Sequence, residues 1–388
     1  MKMSRATAAL RFLCSLGLPA DLLVPAVLEA LHSVVPSYRN LFDWTDEQGR
    51  LVRYFIEGPI DAQIAQLYFD EFHNRREAEA MPRFDSLHRL PPGVRSAAEL
   101  EHPAFFNSAL YNEIWRPQGM HTRLEAVLRG AHGRLLGSLV LYRAPGERRF
   151  TREDERRLAS LLPDIAAGLQ NSRPVDAGGH HLPGTEPAQT LLLTLQGEVC
   201  HASPGACRLL LMADGGASRA SLSKPLPLLA DGLLGLLLAR LREHTQSPVR
   251  HLMAAAPSIS HETAAGRFVA SAALLHPGAA LSTPPPPPPP PPHQPEQPHP
   301  PVQPLVLVTL RRLEPHRVAL ERALRALPLT PGQLAVCRGL YQGRTQAHIG
   351  DQLGVAPATV VDHVRKIQQA LDVRSSLELR ALLDARMG

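Results

Sequence analysis

The feature that most constrains the fold is a C-terminal run of helix-start and helix-stop signals over residues 329–383. Thr330 carries the hydroxyl of a helix N-cap, Pro331 follows at the first helical position, and Gln333 stands three residues after the cap. This combination satisfies free backbone N–H groups at a helix start. We predict a helix that begins at Pro331 and ends near Gly343, because glycine readily takes the left-handed conformation that closes a helix.

Two further helices follow at short intervals. Thr345 is positioned to cap a short helix over residues 346–353, and Gly354 supplies the next tight turn. A third helix is predicted to open at Pro357. Its apolar residues form a single stripe along one face, made of Val360, Val364, Ile367 and Leu371.

The opposite face of this third helix is polar. It carries Asp362, Arg365, Lys366 and Gln369. These side chains should point away from the core, as those of a recognition helix must when it enters the major groove of DNA. The pattern therefore predicts a helix pair that reads DNA.

The same stretch resembles the helix-turn-helix domain of LuxR/NarL-type transcriptional regulators. The matching residues are Leu329, Thr330, Pro331, Gly343, Thr345, Ile349, Gly350, Leu353, Gly354, Val355, Pro357, Thr359, Val360, His363, Leu371, Val373 and Arg374. The resemblance implies an all-α domain of four helices over residues 329–388, with double-stranded DNA and RNA polymerase as partners. It also implies that the last helix, 375–383, helps to pair two copies of the chain as a homodimer.

The resemblance further implies a set of DNA-binding residues. They are Thr345, Thr359, Val361, Asp362, Arg365 and Lys366. Val361, Asp362 and Arg365 would face the bases, and Thr359 and Lys366 would lie near phosphates. Two interpretations of Asp362 stay open: it excludes wrong sites, because a carboxylate in the groove needs a cytosine amino group as donor, or it belongs to a solvated helix face.

Composition limits what the rest of the chain can be. Its 388 residues suffice for two or three domains, and a hydrophobic content of 44% suffices for their cores. The formal charge of +5 permits nucleic-acid binding without requiring it. Residues 327–388 contain seven Arg or Lys and five Asp or Glu. DNA binding must therefore depend on where the charges lie.

The cysteines and the N-terminus favour a cytoplasmic protein. The cysteines, which are Cys14, Cys200, Cys207 and Cys337, lack the spacing of a zinc site or a disulfide framework. Near the N-terminus, Arg11 and Asp21 leave too short an apolar run for a signal peptide, and no later segment is long enough to span a bilayer. We expect a helix of a folded domain there, and no membrane partner.

A proline tract marks an interruption in the chain. Nine prolines run without a break over residues 284–292, which predicts extended polyproline II rather than core. The tract is either a ligand for a proline-recognising partner or a spacer or expanded loop. Because β-prone runs at 268–275 and 305–310 flank it, we favour a loop, 277–304, between the last two strands of one domain.

The domain around this loop spans residues 188–313. Strands are predicted at 190–194 and 199–202, a helix entry follows at 203–205, and the apolar segment 226–241 reads as helical. This order resembles a PAS-like sensory domain with a proline-rich insertion.

The first domain is assigned to residues 1–172. Its predicted elements are a helix at 20–32, strands at 38–44, 51–55, 123–129 and 135–142, and a final helix capped by Thr151. That helix should present one apolar face, made of Leu158, Leu161, Leu162, Ile165 and Leu169. The order resembles a GAF-like domain, a class that binds small molecules or pairs into dimers. Residues 173–187 are predicted as a linker and 314–328 as a connecting helix.

Catalytic and metal-binding patterns are missing from the sequence. It has no glycine-rich phosphate loop, GxSxG elbow or HExxH pair, so we expect no enzyme and no cofactor. Some histidines lie close to one another without the spacing of a metal site, namely His180, His181, His293 and His299. Four aromatic residues either line a ligand pocket or are ordinary core: Trp44, Phe55, Trp115 and Tyr142.

Together these patterns predict a multidomain α+β protein that binds specific DNA sequences and regulates transcription. Its sensory domains would control dimerisation or DNA binding, with a small-molecule effector as a further expected partner. The N-terminus lacks the acidic pair and the phosphorylatable Asp of a receiver domain, and sensory-looking domains argue against sigma-factor region 4. Two alternatives remain: a proline-rich dimeric interaction scaffold, and a ligand-responsive regulator of the quorum-sensing type.

Overall fold

The computed structural model describes residues 5–171, 181–184, 186–246, 256–275 and 304–387. These residues form two antiparallel sheets with their helices, followed by a set of C-terminal helices. The predicted multidomain α+β architecture is confirmed at this level. In these ranges, no helix is both long enough and apolar enough to cross a membrane.

The first unit, residues 5–171, is built around a five-stranded sheet. Its helices are α1 (Arg5–Ser15), α2 (Ala20–Leu31), α3 (Ala62–Leu67), α4 (Pro103–Phe106), α5 (Arg152–Ala159) and α6 (Leu162–Gln170). Its strands are β1 (Arg39–Thr45), β2 (Leu51–Ile56), β3 (Gly93–Arg95), β4 (Thr122–Arg129) and β5 (Leu135–Arg143). The spatial order is β2-β1-β5-β4-β3, and the predicted strands and first helix are confirmed within a residue or two.

The two faces of this sheet differ because successive side chains of a strand point in opposite directions. Phe42, Leu124 and Leu141 lie on one face, in a core shared with α1, α2, α5 and α6. Asp43 and Arg123 lie on the other face, which is covered by parts of the chain between β2 and β4.

The final helix of the first unit is interrupted, which corrects the expectation of one continuous helix after Thr151. The Thr151 capping box with Asp154 is present as predicted, but α5 ends at Ala159 and α6 starts at Leu162. Pro163 explains the break, because a proline lacks the backbone N–H and its ring would clash with the Ala159 carbonyl in a continuous helix.

The second unit, residues 181–315, contains the other sheet. Its strands are β6 (His181–Pro183), β7 (Gln189–Thr194), β8 (Val199–Ala202), β9 (Ser258–Thr263), β10 (Gly266–Leu275) and β11 (Leu305–Pro315). Its helices are α7 (Ala206–Ala213), α8 (Arg219–Leu222) and α9 (Leu233–Gln246). The main order is β8-β7-β11-β10-β9, and β6 pairs with the other end of β11.

Three details of this unit differ from the sequence interpretation. Strand β6 lies inside the segment predicted as the linker 173–187, where Leu182 pairs with Glu314. Strand β9 was not predicted. In the apolar segment 226–241, α9 begins only at Leu233, after Gly232 adopts a positive φ of 91°.

Strands β10 and β11 are antiparallel neighbours, paired from Arg267 opposite Leu313 to Leu275 opposite Leu305. The strands predicted at 268–275 and 305–310 are therefore present as neighbours, and the assignment of the proline tract to a loop of one domain stays a prediction. Residues 277–303 of the predicted loop, including the polyproline run, lie outside the described residues.

The two units share an apolar core that extends from the covered face of the first sheet to α7, α9 and the second sheet. The backbone N–H of Tyr54 donates to the Ala217 carbonyl at 2.8 Å across this junction. Strand β11 runs to Pro315 and leads directly into the C-terminal helices. These are α10 (His316–Arg325), α11 (Pro331–Tyr341), α12 (Gln346–Leu353), α13 (Pro357–Leu371) and α14 (Ser376–Met387).

Candidate nucleic-acid interface

Helix α11 starts with the predicted capping box. The Gln333 backbone N–H donates to Thr330 Oγ1 at 3.4 Å, and the Thr330 backbone N–H donates to Gln333 Oε1 at 2.8 Å. Local sequence therefore determines this helix start.

The turns between α11, α12 and α13 set the geometry of the helix pair. Thr345 caps α12 by accepting from the His348 N–H at 3.3 Å, and Gly354 ends it at a positive φ of 63°. Gly339 allows α11 and α12 to approach closely, since a Cβ there would lie 2.6 Å from Cγ1 of Ile349. A side chain at this glycine would force the helices apart.

The apolar stripe predicted for α13 faces the core. Val360 and Ile367 are fully buried, and Val364 and Leu371 pack against the same cluster. The opposite face is open to solvent: the side chains of Arg365 and Lys366 are 79% and 54% exposed.

The remaining predicted DNA-binding residues lie on the accessible surface of the helix pair. Val361 is 54% exposed on α13. Thr359 is exposed in the first turn of α13, and Thr345 is exposed at the start of α12.

Asp362 forms ion pairs with the two cations of this surface. Lys366 Nζ lies 2.6 Å from Asp362 Oδ2, and Arg365 Nη2 lies 3.1 Å from Asp362 Oδ1. The hydrogen bond from Lys366 is the main cause that lowers the pKa of Asp362, so this carboxylate is ionised at neutral pH. The sequence interpretation missed this triad, although spacings of three and four residues on a helix signal it.

The C-terminal helices are anchored to the first unit through α10 and α11. Arg338 of α11 donates to both carboxylate oxygens of Glu321 in α10, at 2.6 Å each. The Arg338 guanidinium carbon also lies 3.2 Å from the centre of the Phe12 ring in α1. Arg325 of α10 pairs with Glu29 of α2 at 2.7 Å. Helix α10 therefore connects the first unit to the helix pair.

The apolar face of α14 is packed inside the same chain. Leu379, Leu383 and Met387 are buried in a cluster that includes residues of α10. Tyr341 Oη donates to Asp384 Oδ1 at 2.6 Å, which ties α14 to α11. Leu377, in contrast, is 76% exposed. A pairing role for residues 375–383 stays a prediction, and it would have to use this outer face or displace α10.

The upstream aromatic residues border two cavities. Trp115 and Tyr142 line a cavity of about 120 Å³ in the first unit, and Trp44 and Phe55 line a smaller one of about 60 Å³ between the units. Each of the four aromatic residues therefore lines a cavity inside the protein, so the core and pocket interpretations do not exclude each other. His181 lies in β6 with Nε2 4.0 Å from a carboxylate oxygen of Glu262. His180, His293 and His299 lie outside the described residues.

Comparison with known proteins identifies the C-terminal helices. Residues 327–382 match the GerE family model, described as bacterial regulatory proteins of the luxR family. No curated protein matches the sequence significantly. The matched range runs from the residue before Pro328 into α14 and contains the capping box, the two-helix turn and the exposed face of α13. Residues 327–382 are therefore a DNA-binding domain of the luxR family of bacterial regulatory proteins.

Proposed function

We propose that the chain is a sequence-specific DNA-binding transcriptional regulator and that α13 enters the major groove. The supporting observation is the exposed face of α13, on which Arg365 and Lys366 extend into solvent within the matched domain. Arg365, Val361 and Asp362 read bases in this proposal. Lys366, Thr359 and Thr345 contact phosphates.

The ion pairs of Asp362 affect how strongly this interface binds specific and non-specific DNA. DNA phosphates compete with Asp362 for Lys366, and base acceptors compete with it for Arg365, so part of the attraction to any DNA is offset by the loss of these pairs. A site that offers a cytosine amino group to Asp362 compensates for that loss, whereas other sites do not. Asp362 then lowers non-specific binding more than specific binding.

Selection of bound genomic fragments by the full-length chain tests the proposal, and repetition at two salt concentrations separates phosphate attraction from base readout. An inverted-repeat motif that survives the higher salt supports a dimeric, sequence-specific regulator. Absence of any enriched motif, with the domain folded, argues against it.

Variants at the exposed face refine the test. Arg365→Ala with Lys366→Ala should weaken binding to the selected site at least tenfold, since a good bidentate base contact alone contributes about 1–3 kcal/mol. Arg386→Ala, which removes one exposed arginine of α14, is the control for each single substitution, Arg365→Ala and Lys366→Ala, and should bind normally. Equal losses in the control and in the single substitutions would indicate bulk charge rather than a defined interface.

Asp362→Asn distinguishes the two interpretations of this residue. If Asp362 excludes wrong sites, the variant binds unrelated DNA more tightly and loses discrimination. If Asp362 is only part of a solvated face, the ratio of specific to non-specific binding stays unchanged.

The upstream units are proposed to be sensory, the first GAF-like and the second PAS-like, and to control dimerisation or DNA binding. The two sheets have equivalent strand orders, β2-β1-β5-β4-β3 in the first unit and β8-β7-β11-β10-β9 in the second. The additional strand β6 lies outside this shared order. The contacts of α10 with α1, α2 and α11 supply a route by which a change in the first unit reaches the helix pair. A homodimer and contact with RNA polymerase belong to the same proposal.

A further inference from the structure

A cavity lined by aromatic rings lies on the covered face of the first unit's sheet. It measures about 120 Å³ and is bordered by the sheet, α3 and the chain segments before β4. Apolar side chains make up much of its wall, among them Ile64, Phe69, Met81, Ile114 and Trp115. An apolar protein cavity of about 150 Å³ accepts benzene, so this space fits a body of roughly one small ring.

Strand register brings polar groups into the same cavity. Asp43 of β1 stands opposite Ser138 of β5 and Tyr54 of β2. Arg123 of β4 stands opposite Tyr142 of β5. Residues paired across antiparallel strands share one face, and Asp43, Tyr54, Arg123 and Tyr142 all line the cavity.

Asp43 is a buried carboxyl group with spare hydrogen-bonding capacity. It is 8% exposed, and Ser138 Oγ donates to its Oδ2 at 3.0 Å. Among the residues that the structure describes, its Oδ1 has no hydrogen-bond partner. Burial raises the pKa of Asp43 to about 8, so at neutral pH the group is mostly protonated and can both donate and accept.

Arg123 supplies a second group. Its Nη2 donates to Glu125 Oε2 at 3.0 Å, and its guanidinium carbon lies 5.6 Å from the centre of the Trp115 ring. Within the described ranges, its Nε and Nη1 have no hydrogen-bond partner. Glu125 also accepts from Arg95 Nη1 at 2.9 Å. The charge of Arg123 is therefore already balanced, while two of its nitrogen atoms remain available.

Polar atoms that border a cavity can bond water or a ligand there. Here two polar side chains of the cavity wall keep atoms without a described partner beside an apolar space. A buried anionic ligand would be repelled by the carboxylate of Glu125, which already balances the charge of Arg123. A buried cationic ligand would be repelled by Arg123. An uncharged oxygen acceptor meets both Arg123 and Asp43 without that penalty.

We propose that this cavity binds a small uncharged molecule with one apolar ring and a carbonyl or amide group, whose oxygen accepts from Arg123 and whose polar group also bonds to Asp43. The ring occupies the space beside Trp115 and Phe69. That this ligand acts as the effector rests on the proposed regulatory function; its binding does not.

Three probes of the same shape and different charge test the proposal, namely benzamide, benzoate and benzylamine. Each is titrated at pH 7 into the full-length chain carrying Trp44→Phe, so that Trp115 is the remaining tryptophan and its fluorescence reports on the cavity. Ligand-observed saturation-transfer NMR provides a second readout. We expect benzamide to bind at least tenfold more tightly than either charged probe. Tighter binding of benzoate or benzylamine overturns the assigned ligand class.

Two substitutions locate the binding. Ala65→Leu fills part of the cavity from α3 and should reduce benzamide affinity at least tenfold, whereas Ala62→Leu on the exposed side of the same helix should not. Arg123→Met should also weaken binding, because it removes the donor to the ligand oxygen. Glu125 keeps Arg95 as its partner, so the variant leaves no unpaired carboxylate. Circular dichroism establishes that each variant is folded. Failure of all three probes with the folded chain, or equal binding by Ala65→Leu and Ala62→Leu, overturns the proposal.

The assay contains no DNA, so the two proposals fail separately. Benzamide binding without an enriched DNA motif leaves the cavity assignment intact and contradicts the regulator. An enriched DNA motif without binding of any probe supports the regulator and contradicts the cavity assignment.

Discussion

The two sheets share one strand order and differ in what their core-facing sides carry. The cavity face of the first sheet holds Asp43, Arg123 and Glu125. The corresponding face of the second sheet is mostly apolar, with residues such as Phe268 and Val308 fully buried, and Gln189 and Arg312 are among the polar residues that the strand register places on it. The difference teaches that strand order determines the backbone scaffold, whereas the chemistry of the covered face decides whether the scaffold becomes a solid core or a lined cavity.

Packing density should give the largest difference between the sheets. We expect Phe268→Ala to lower the free energy of unfolding by about 3–5 kcal/mol, because a fully buried ring leaves a new cavity. Phe69→Ala should lower the free energy of unfolding by less, because that ring already borders a void and therefore contacts fewer neighbouring atoms. Urea unfolding followed by circular dichroism measures both. Equal losses would contradict the contrast between a solid and a lined core.

The units are also joined differently to the DNA-binding domain. The second continues from β11 into α10, whereas the first meets the domain through side chains such as Phe12. Arg338→Leu should cost about 3 kcal/mol, because it leaves the Glu321 carboxylate, 10% exposed, without its guanidinium.

The double variant Arg338→Leu, Glu321→Leu should recover much of that loss, since no unpaired charge remains. Thermal unfolding of the single and double variants gives the coupling between the two residues. Arg325→Leu serves as the control: it breaks a pair whose Glu29 side chain is 43% exposed, and its effect should be smaller. Strictly additive losses would show that Arg338 and Glu321 do not act together.

The buried carboxyl of the first sheet should make stability depend on pH. The pKa of Asp43 is about 8 in the folded chain and near 3.8 when unfolded, so between these values the folded state holds a proton that the unfolded state has lost. Stability therefore falls as pH rises through this window. The slope is at most about 1.4 kcal/mol per pH unit from this group.

Asp43→Asn cannot titrate and keeps an acceptor for Ser138. Its stability relative to the unmodified chain should therefore increase from pH 5 to pH 7, by up to about 2.7 kcal/mol. Acids that do not interact with Asp43 titrate equally in both chains and cancel in the difference. A difference that does not change with pH would show that Asp43 is ionised in the folded state.

The smallest expected change in stability concerns the start of the helix that follows each sheet. Helix α5 begins with a capping box at Thr151, whereas α10 begins after Pro315 without a side-chain cap from any described residue. Thr151→Ala should lower stability by about 1 kcal/mol. Thr190→Ala, at an exposed position of β7, should change it by less than about 0.5 kcal/mol. Thermal unfolding at one pH compares them, and similar shifts would indicate that the cap contributes little.

Local signals in the sequence predicted much of the fold because they act over a few residues. Thr330 with Gln333 and Thr151 with Asp154 form the predicted capping boxes, since each needs only a four-residue stretch. The break at Pro163 was also readable from the local sequence, but the apolar periodicity on both sides of it favoured one helix. Strand β6 gave no such signal, because a three-residue strand exists only where β11 offers an edge.

The sequence by itself determined the capped helix starts at Thr151, Thr330 and Thr345, most strands and the polar face of α13, because caps, turns and periodicity are local properties of the backbone. Only the tertiary structure decided which polar strand residues are buried and which apolar helix faces are occupied. Asp43 and Arg123 alternate with apolar neighbours as solvent-facing residues would, and they became cavity groups because the segment before β4 covers them. In the same way, α10 covers the apolar face of α14. Burial depends on packing between distant segments, which local sequence patterns do not encode.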